Sequence, residues 1–174
     1  QMVALDAGIQ TVTELSADRP DELEETLAAV RESHDWASAI AVRSPAEILM
    51  IPENLSSEVV GRRFYEKYIR DYHETWVRNI RRAEKYSCLH LDGTLKGLLR
   101  QVCSAGFTFI EAMTPAPVGD LEIGQWAEWS GDSRTILWGG LPGVYFTDHV
   151  ADAAFDLFVA QVLAVMRRVP RYVL

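Results

Sequence analysis

Apolar residues recur along this chain in two rhythms, and the alternation between them predicts its elements. A helical rhythm opens after Asp18-Arg19-Pro20-Asp21-Glu22, where acidic residues and a proline suit the positive end of a helix dipole. Leu23, Leu27 and Val30 then carry the helix to about Ser33. The same rhythm is clearest from Gly61 to Lys85. There Phe64, Tyr68, Tyr72, Trp76 and Ile80 are spaced by four, a stripe that reads as core-facing, with charged residues over the remainder. Further helices are predicted over Leu95 to Ser104, stopped by Ala105-Gly106, over Asp120 to Trp129, and from Ala151 to Arg168. Short continuous apolar runs lie between them. Ala37 to Val42, Glu47 to Ile51, Ser87 to Leu91, Phe107 to Ala112 and Thr135 to Trp138 are predicted strands, and Tyr172-Val173-Leu174 looks like a strand beginning. The run stopped by Pro52 reads as buried on both faces. The first eighteen residues are mixed: Val3, Leu5 and Ile9 fit a strand or a packed turn, and Gly131-Asp132 fits a turn.

Strands alternating with helices mean βαβ units and a parallel sheet, so the fold class is α/β. Right-handed crossovers put every strand's carboxyl end on one side, where such folds gather their chemistry. At 174 residues the chain suits one domain spanning 1–174. It falls short of a complete (β/α)8 barrel, which typically needs about 250 residues. The pattern predicts four or five β/α units.

Composition narrows the partners. With 17 basic and 25 acidic residues the net charge is −8, a poor field for nucleic acid or anionic membrane. The expectation is a soluble, cytoplasmic protein without a leader or membrane span. Cys88 and Cys103 fall in apolar runs and read as buried, reduced thiols rather than a disulfide framework or a zinc site.

The strand ends carry the candidate chemistry. Glu53 and Asn54 follow the first parallel strand, His90 and Asp92 the next, Glu111 and Thr114 the third, and Trp138 with Gly139-Gly140 the fourth. His90 and Asp92 are two apart, so on an extended strand they share a face and suit a metal, a water or a substrate proton. The alternatives are a strand-end histidine satisfied by a neighbour and an Asp92 that caps the following helix. Glu111 interrupts an apolar strand, where a carboxylate must be paired, hydrated or protonated; such groups serve as general acids or bases. The glycine pair could let a ligand approach the backbone, although the G-x-G-x-x-G and P-loop patterns are missing. His34, His73 and His149 lie on or beside helices and read as surface or packing residues.

Taken in order, several stretches resemble the C-terminal half of the uroporphyrinogen decarboxylase superfamily. They are Pro52-Glu53-Asn54-Leu55-Ser56, Tyr65-Glu66-Lys67-Tyr68, His90-Leu91-Asp92-Gly93, Ile110-Glu111-Ala112-Met113-Thr114-Pro115, Gly119-Asp120, Leu137-Trp138-Gly139-Gly140-Leu141 and Tyr172-Val173-Leu174, over residues 47–174. The resemblance implies a TIM-type (β/α)8 barrel whose mouth holds His90, Asp92 and Glu111 as catalytic residues. Glu53, Asn54, Thr114, Trp138, Gly139 and Gly140 would then bind substrate. It implies a decarboxylase-like lyase acting on a carboxylate-bearing or tetrapyrrole-like substrate in porphyrin metabolism. The same superfamily holds cobalamin-dependent methyltransferases, which implies as an alternative zinc on His90, Asp92 and Glu111 and a corrinoid supplied by a partner protein. His90-x-Asp92 departs from the His-x-Cys of that zinc site, and the strand ends lack the arginines a polycarboxylate needs, Arg62 and Arg63 being the near candidates. A third reading is an inactive half-barrel or binding module that pairs with a complementing half or with a second copy as a homodimer, because a parallel half-barrel has open edges.

Overall fold

A computed structural model describes residues 6–131 and 134–174. The expectations for Val3, Leu5 and Asp132 fall outside the described residues. Helix α1 (Ile9–Asp18) comes first and α2 (Pro20–Ala41) follows it, with Pro20, Asp21 and Glu22 in the first turn of α2 as the sequence predicts. Ile9 is thus helical, neither strand nor packed turn. The strand expected over Ala37 to Val42 is also corrected: α2 runs on to Ala41. Its alanines are strong helix formers, and so short an apolar run has no period of its own to oppose them.

Five strands follow: β1 (Ile48–Ile51), β2 (Tyr86–Leu91), β3 (Phe109–Ala112), β4 (Ile136–Trp138) and β5 (Tyr172–Val173). They form one sheet in the order β1-β2-β3-β4-β5, every pair parallel, an arrangement compatible with part of a TIM-type barrel. The long helix α3 joins β1 to β2. It starts at Arg62–Phe64, widens to a π-turn over Tyr65–Ile69 and continues as regular helix over Arg70–Arg82. The α4 helix (Leu99–Ser104) is shorter than its apolar rhythm suggests, because residues 96–98 form a turn. Of the helix expected from Asp120, a 3-10 turn (Ile123–Gln125) and α5 (Trp126–Trp129) form. The last helix, α6 (Asp152–Met166), precedes β5.

The register sorts the strand residues into two faces. Leu49, Ile51, Leu89, Leu91, Ile110 and Leu137 are buried, most of them in one core with Val77, Leu99, Val102, Trp126, Phe158 and Val162 from the helices. The opposite face carries Ile48, Met50, Tyr86, Cys88, His90, Phe109, Glu111, Ile136 and Trp138. Among the described residues it is left largely uncovered: Ile48, Met50 and Tyr86 are 41%, 44% and 54% exposed, while Cys88 at its centre is buried. So β1 is buried on one face, not on both. Its run of apolar residues is what a barrel interior uses.

Helix α3 also differs in which stripe it buries. Tyr65, His73, Val77 and Ile80 are buried with Ile69 beside them, while Phe64, Tyr68, Tyr72 and Trp76 are half-buried. Within the aromatic stripe, Trp76 packs against the core whereas Tyr72 meets α2. Tyr72 lies against His34 and under Arg31, and Lys67 pairs with Glu24.

Candidate active site

His90 and Glu111 are direct partners in the β2–β3 register, so both project from the uncovered face at the carboxyl end of the sheet. His90 Nδ1 lies 2.6 Å from Glu111 Oε2, and the two side chains are 31% and 27% exposed. With the carboxylate accepting Nδ1–H, the ring is held in the tautomer that leaves the Nε2 lone pair to take a proton. Glu111 thus answers the demand that its position makes: the carboxylate is paired and partly hydrated. Trp138 flanks the pair on the same face, edge-on to Phe109 at 6.1 Å.

The backbone just past Glu111 is strained. Ala112 and Met113 have φ of 76° and 28°, conformations that cost about 1–3 kcal/mol each and collect at functional sites. Gly139 runs against this bend; a Cβ on it would meet the Ala112 carbonyl oxygen at 2.5 Å, and its φ is +140°. A Cβ on Gly140 would meet Ile123 Cδ1 at 3.1 Å. The glycine pair is therefore explained by the chain's own close packing at the strand ends.

The other predicted residues are placed differently. Asp92 lies beyond the end of β2, where its Oδ1 accepts Gly93 N–H at 2.7 Å and the Thr114 hydroxyl at 2.7 Å. Asp92 and Thr114 together tie the β2 loop to the β3 loop. Asp92 does not cap the next turn. Asp120 does so from twenty-five residues away, accepting Leu95 N–H at 2.7 Å and Lys96 N–H at 3.1 Å. Asn54 is exposed after β1, and Arg62 and Arg63 are exposed at the start of α3.

Glu53 turns towards the helices. Its Oε2 lies 3.4 Å from Nε2 of His73, a fully buried residue on α3 whose Nδ1 meets the Tyr65 hydroxyl at 3.2 Å. At 3.4 Å the contact is electrostatic, longer than a good hydrogen bond, and Nε2 has no hydrogen-bond partner among the described residues. Burial pushes the Glu53 pKa up, but the interactions with His73 and the more distant charge of His34 outweigh it and leave the pKa below the usual carboxylate value. Of the three set-aside histidines, His149 is exposed and His34 half-buried against Tyr72, whereas His73 sits at the centre of a polar chain. Its signal was present in the sequence: Tyr65, Ile69, His73 and Val77 form a four-spaced stripe of their own.

These residues do not make a zinc centre as arranged. Among the described residues no group of three His, Cys, Asp or Glu converges to hold a metal ion. Asp92 is taken by Gly93 and Thr114, which leaves His90 and Glu111 bonded to each other. Both cysteines are buried, and burial, with Glu111 nearby, raises the Cys88 thiol to about 12, so it stays protonated at neutral pH. No described helix is long and apolar enough to cross a membrane.

No family model and no curated protein matches the chain. Among solved structures it is similar to a methyltransferase from Methanosarcina mazei, with a TM-score of 0.62 at 17% identity. The similarity covers 75% of this chain and 37% of that one, so the chain spans well under half of its neighbour's length. At that identity the likeness establishes a shared fold. It lends nothing to the decarboxylase, lyase or porphyrin expectations.

Proposed function

We propose that the chain forms the catalytic-face portion of a barrel methyltransferase in which His90, held by Glu111, is the general base that readies the methyl acceptor. The 2.6 Å His90–Glu111 contact at the carboxyl end of an uncovered parallel sheet carries this reading. The fold shared with a methyltransferase supports it. The acceptor, a thiol or another X–H group, gives its proton to His90 Nε2. Its freed electron pair takes up the methyl group, which a corrinoid borne by a partner protein would supply, the carrier keeping the electron pair of the bond that breaks. Glu111 stabilises the imidazolium that forms and fixes the ring. Trp138 offers an apolar wall beside the pair, and Asn54 and Glu53 stand at the next strand end.

The test is methyl transfer from methylcobalamin to 2-mercaptoethanol, followed by the cobalamin spectrum. Loss of a general base lowers rates by about 10²–10⁴-fold, the fall expected for His90→Ala, with a smaller fall for Glu111→Gln. Equal rates in wild type and His90→Ala overturn the assignment of the base. One zinc per chain that is lost in His90→Ala replaces this metal-free arrangement with a metal centre.

A further inference from the structure

The alignment Tyr65–His73–Glu53 is one that packing alone does not require. His73 and Tyr65 are each 0% exposed; the Tyr65 hydroxyl meets Nδ1 at 3.2 Å, and Nε2, without a hydrogen-bond partner among the described residues, lies 3.4 Å from Glu53 Oε2. The aromatic neighbours of the His73 ring are Tyr65, Tyr72 and Phe107, the last edge-on at 5.1 Å, so the ring plane is fixed on several sides. The local fold of α3 serves this alignment. In a regular α-helix, residues eight apart end about 80° out of line. The wider π-turn over Tyr65–Ile69 takes up most of that drift and sets Tyr65 over His73. Such turns recur at functional sites.

The open end of the chain is Glu53. Its side chain keeps 15% exposure two residues beyond the end of β1, with buried His73 3.4 Å from its Oε2. In the neutral tautomer whose Nδ1 accepts from the Tyr65 hydroxyl, Nε2 carries the hydrogen and lies 3.4 Å from Glu53 Oε2. The other charged groups around this chain are His34 of α2 and Arg70, Glu66 and Glu74 of α3.

We infer that His73, backed by Tyr65, is a positioning residue that fixes and orients the Glu53 carboxylate as the acceptor for an N–H or O–H group of the ligand bound at this end of the sheet. This rests on the reading of the carboxyl end as the ligand face, but it makes its own demand on Glu53. A ligand donor at the open oxygen and the unpartnered Nε2 behind would close on the carboxylate from opposite sides.

The experiment is a carbon-detected NMR titration of the Glu53 carboxyl carbon in the full chain. In wild type it should titrate below the ordinary glutamate value. His73→Phe should raise its midpoint by about one pH unit or more, because the donor is gone and the burial remains. His73→Gln, whose amide can donate to Glu53, should recover part of that shift. Tyr65→Phe should leave Glu53 near its wild-type midpoint but change the ¹⁵N shifts of His73, reporting a ring released at Nδ1. A Glu53 that titrates at the ordinary value in wild type overturns the inference. So does a midpoint in His73→Phe no higher than in wild type; if that variant does not fold, a His73 whose ¹⁵N shifts do not change in Tyr65→Phe overturns it instead. None of these readouts depends on turnover, so a failed methyl-transfer assay and a failed positioning role give different results.

Discussion

Two His–Glu pairs stand near the carboxyl end of this sheet, and their surroundings are opposite. His90 and Glu111 face the uncovered side, are about one-third exposed and touch at 2.6 Å. His73 and Glu53 face the helices, with the histidine fully buried and the contact 3.4 Å. The same two residue types therefore carry different burdens. The open pair can exchange protons with whatever lies over the sheet, and little of the fold depends on it. The buried pair cannot meet solvent at its histidine: Nδ1 is met by Tyr65, and Nε2 has only the long contact to Glu53. The proposed reading gives chemistry to the first pair and orientation to the second.

The comparison is broken most directly by alanine. His73→Ala removes a buried ring and leaves Tyr65 and Glu53 facing a void, a loss of about 2–4 kcal/mol in urea denaturation. His90→Ala, at a part-buried site with one hydrogen bond to lose, should cost only about 0.5–1.5 kcal/mol. Similar losses for both variants would erase the distinction between the pairs.

A smaller effect tests the backbone under the open pair. Gly139→Ala adds a Cβ against the Ala112 carbonyl at a left-handed φ, and both atoms in conflict are held by backbone. The expected loss is about 1–3 kcal/mol, accompanied by chemical-shift changes at Glu111. Gly143→Ala, where a Cβ meets nothing within 4 Å, is the control and should be near neutral. If the two variants behave alike, the strained bend after Glu111 is not what the glycine protects.

Much of this was legible in the chain. The five parallel strands follow from short apolar runs between helical rhythms, and His90 and Glu111 were both visible as polar residues at strand ends. What the pattern missed has physical causes. The Ala37 to Val42 run has too few residues to show a period, so helix propensity from α2 decides it. The aromatic stripe of α3 outweighed its neighbour because aromatic residues dominate a hydrophobicity count; yet the stripe one step away, containing His73, is the buried one. A histidine in that stripe signals a buried partner, and the partner, Glu53, lies outside the helix altogether. Asp92 shows the reverse case. Its spacing from His90 places both on one face only while the strand lasts, and β2 ends at Leu91. One residue later the backbone turns, and Asp92 joins Thr114 instead.

The smallest effect sharpens the buried side of the comparison through pH. Glu53 has its pKa lowered in the folded protein, so folding favours its charged form. The sign follows directly. The stabilisation is fully present above the ordinary value of 4.5 and is lost as pH falls through the lower, folded value. One group contributes at most about 1.4 kcal/mol per pH unit over that window. Wild type should therefore lose stability more steeply than Glu53→Gln between the ordinary glutamate value and the more acidic folded one. Above that window the two curves should run parallel, since neither gains or loses a proton at this position. Urea midpoints collected at closely spaced pH values decide it. Parallel curves through the acidic window would mean that His73 leaves Glu53 as it is in the unfolded chain, and the buried pair would then be packing without electrostatic consequence.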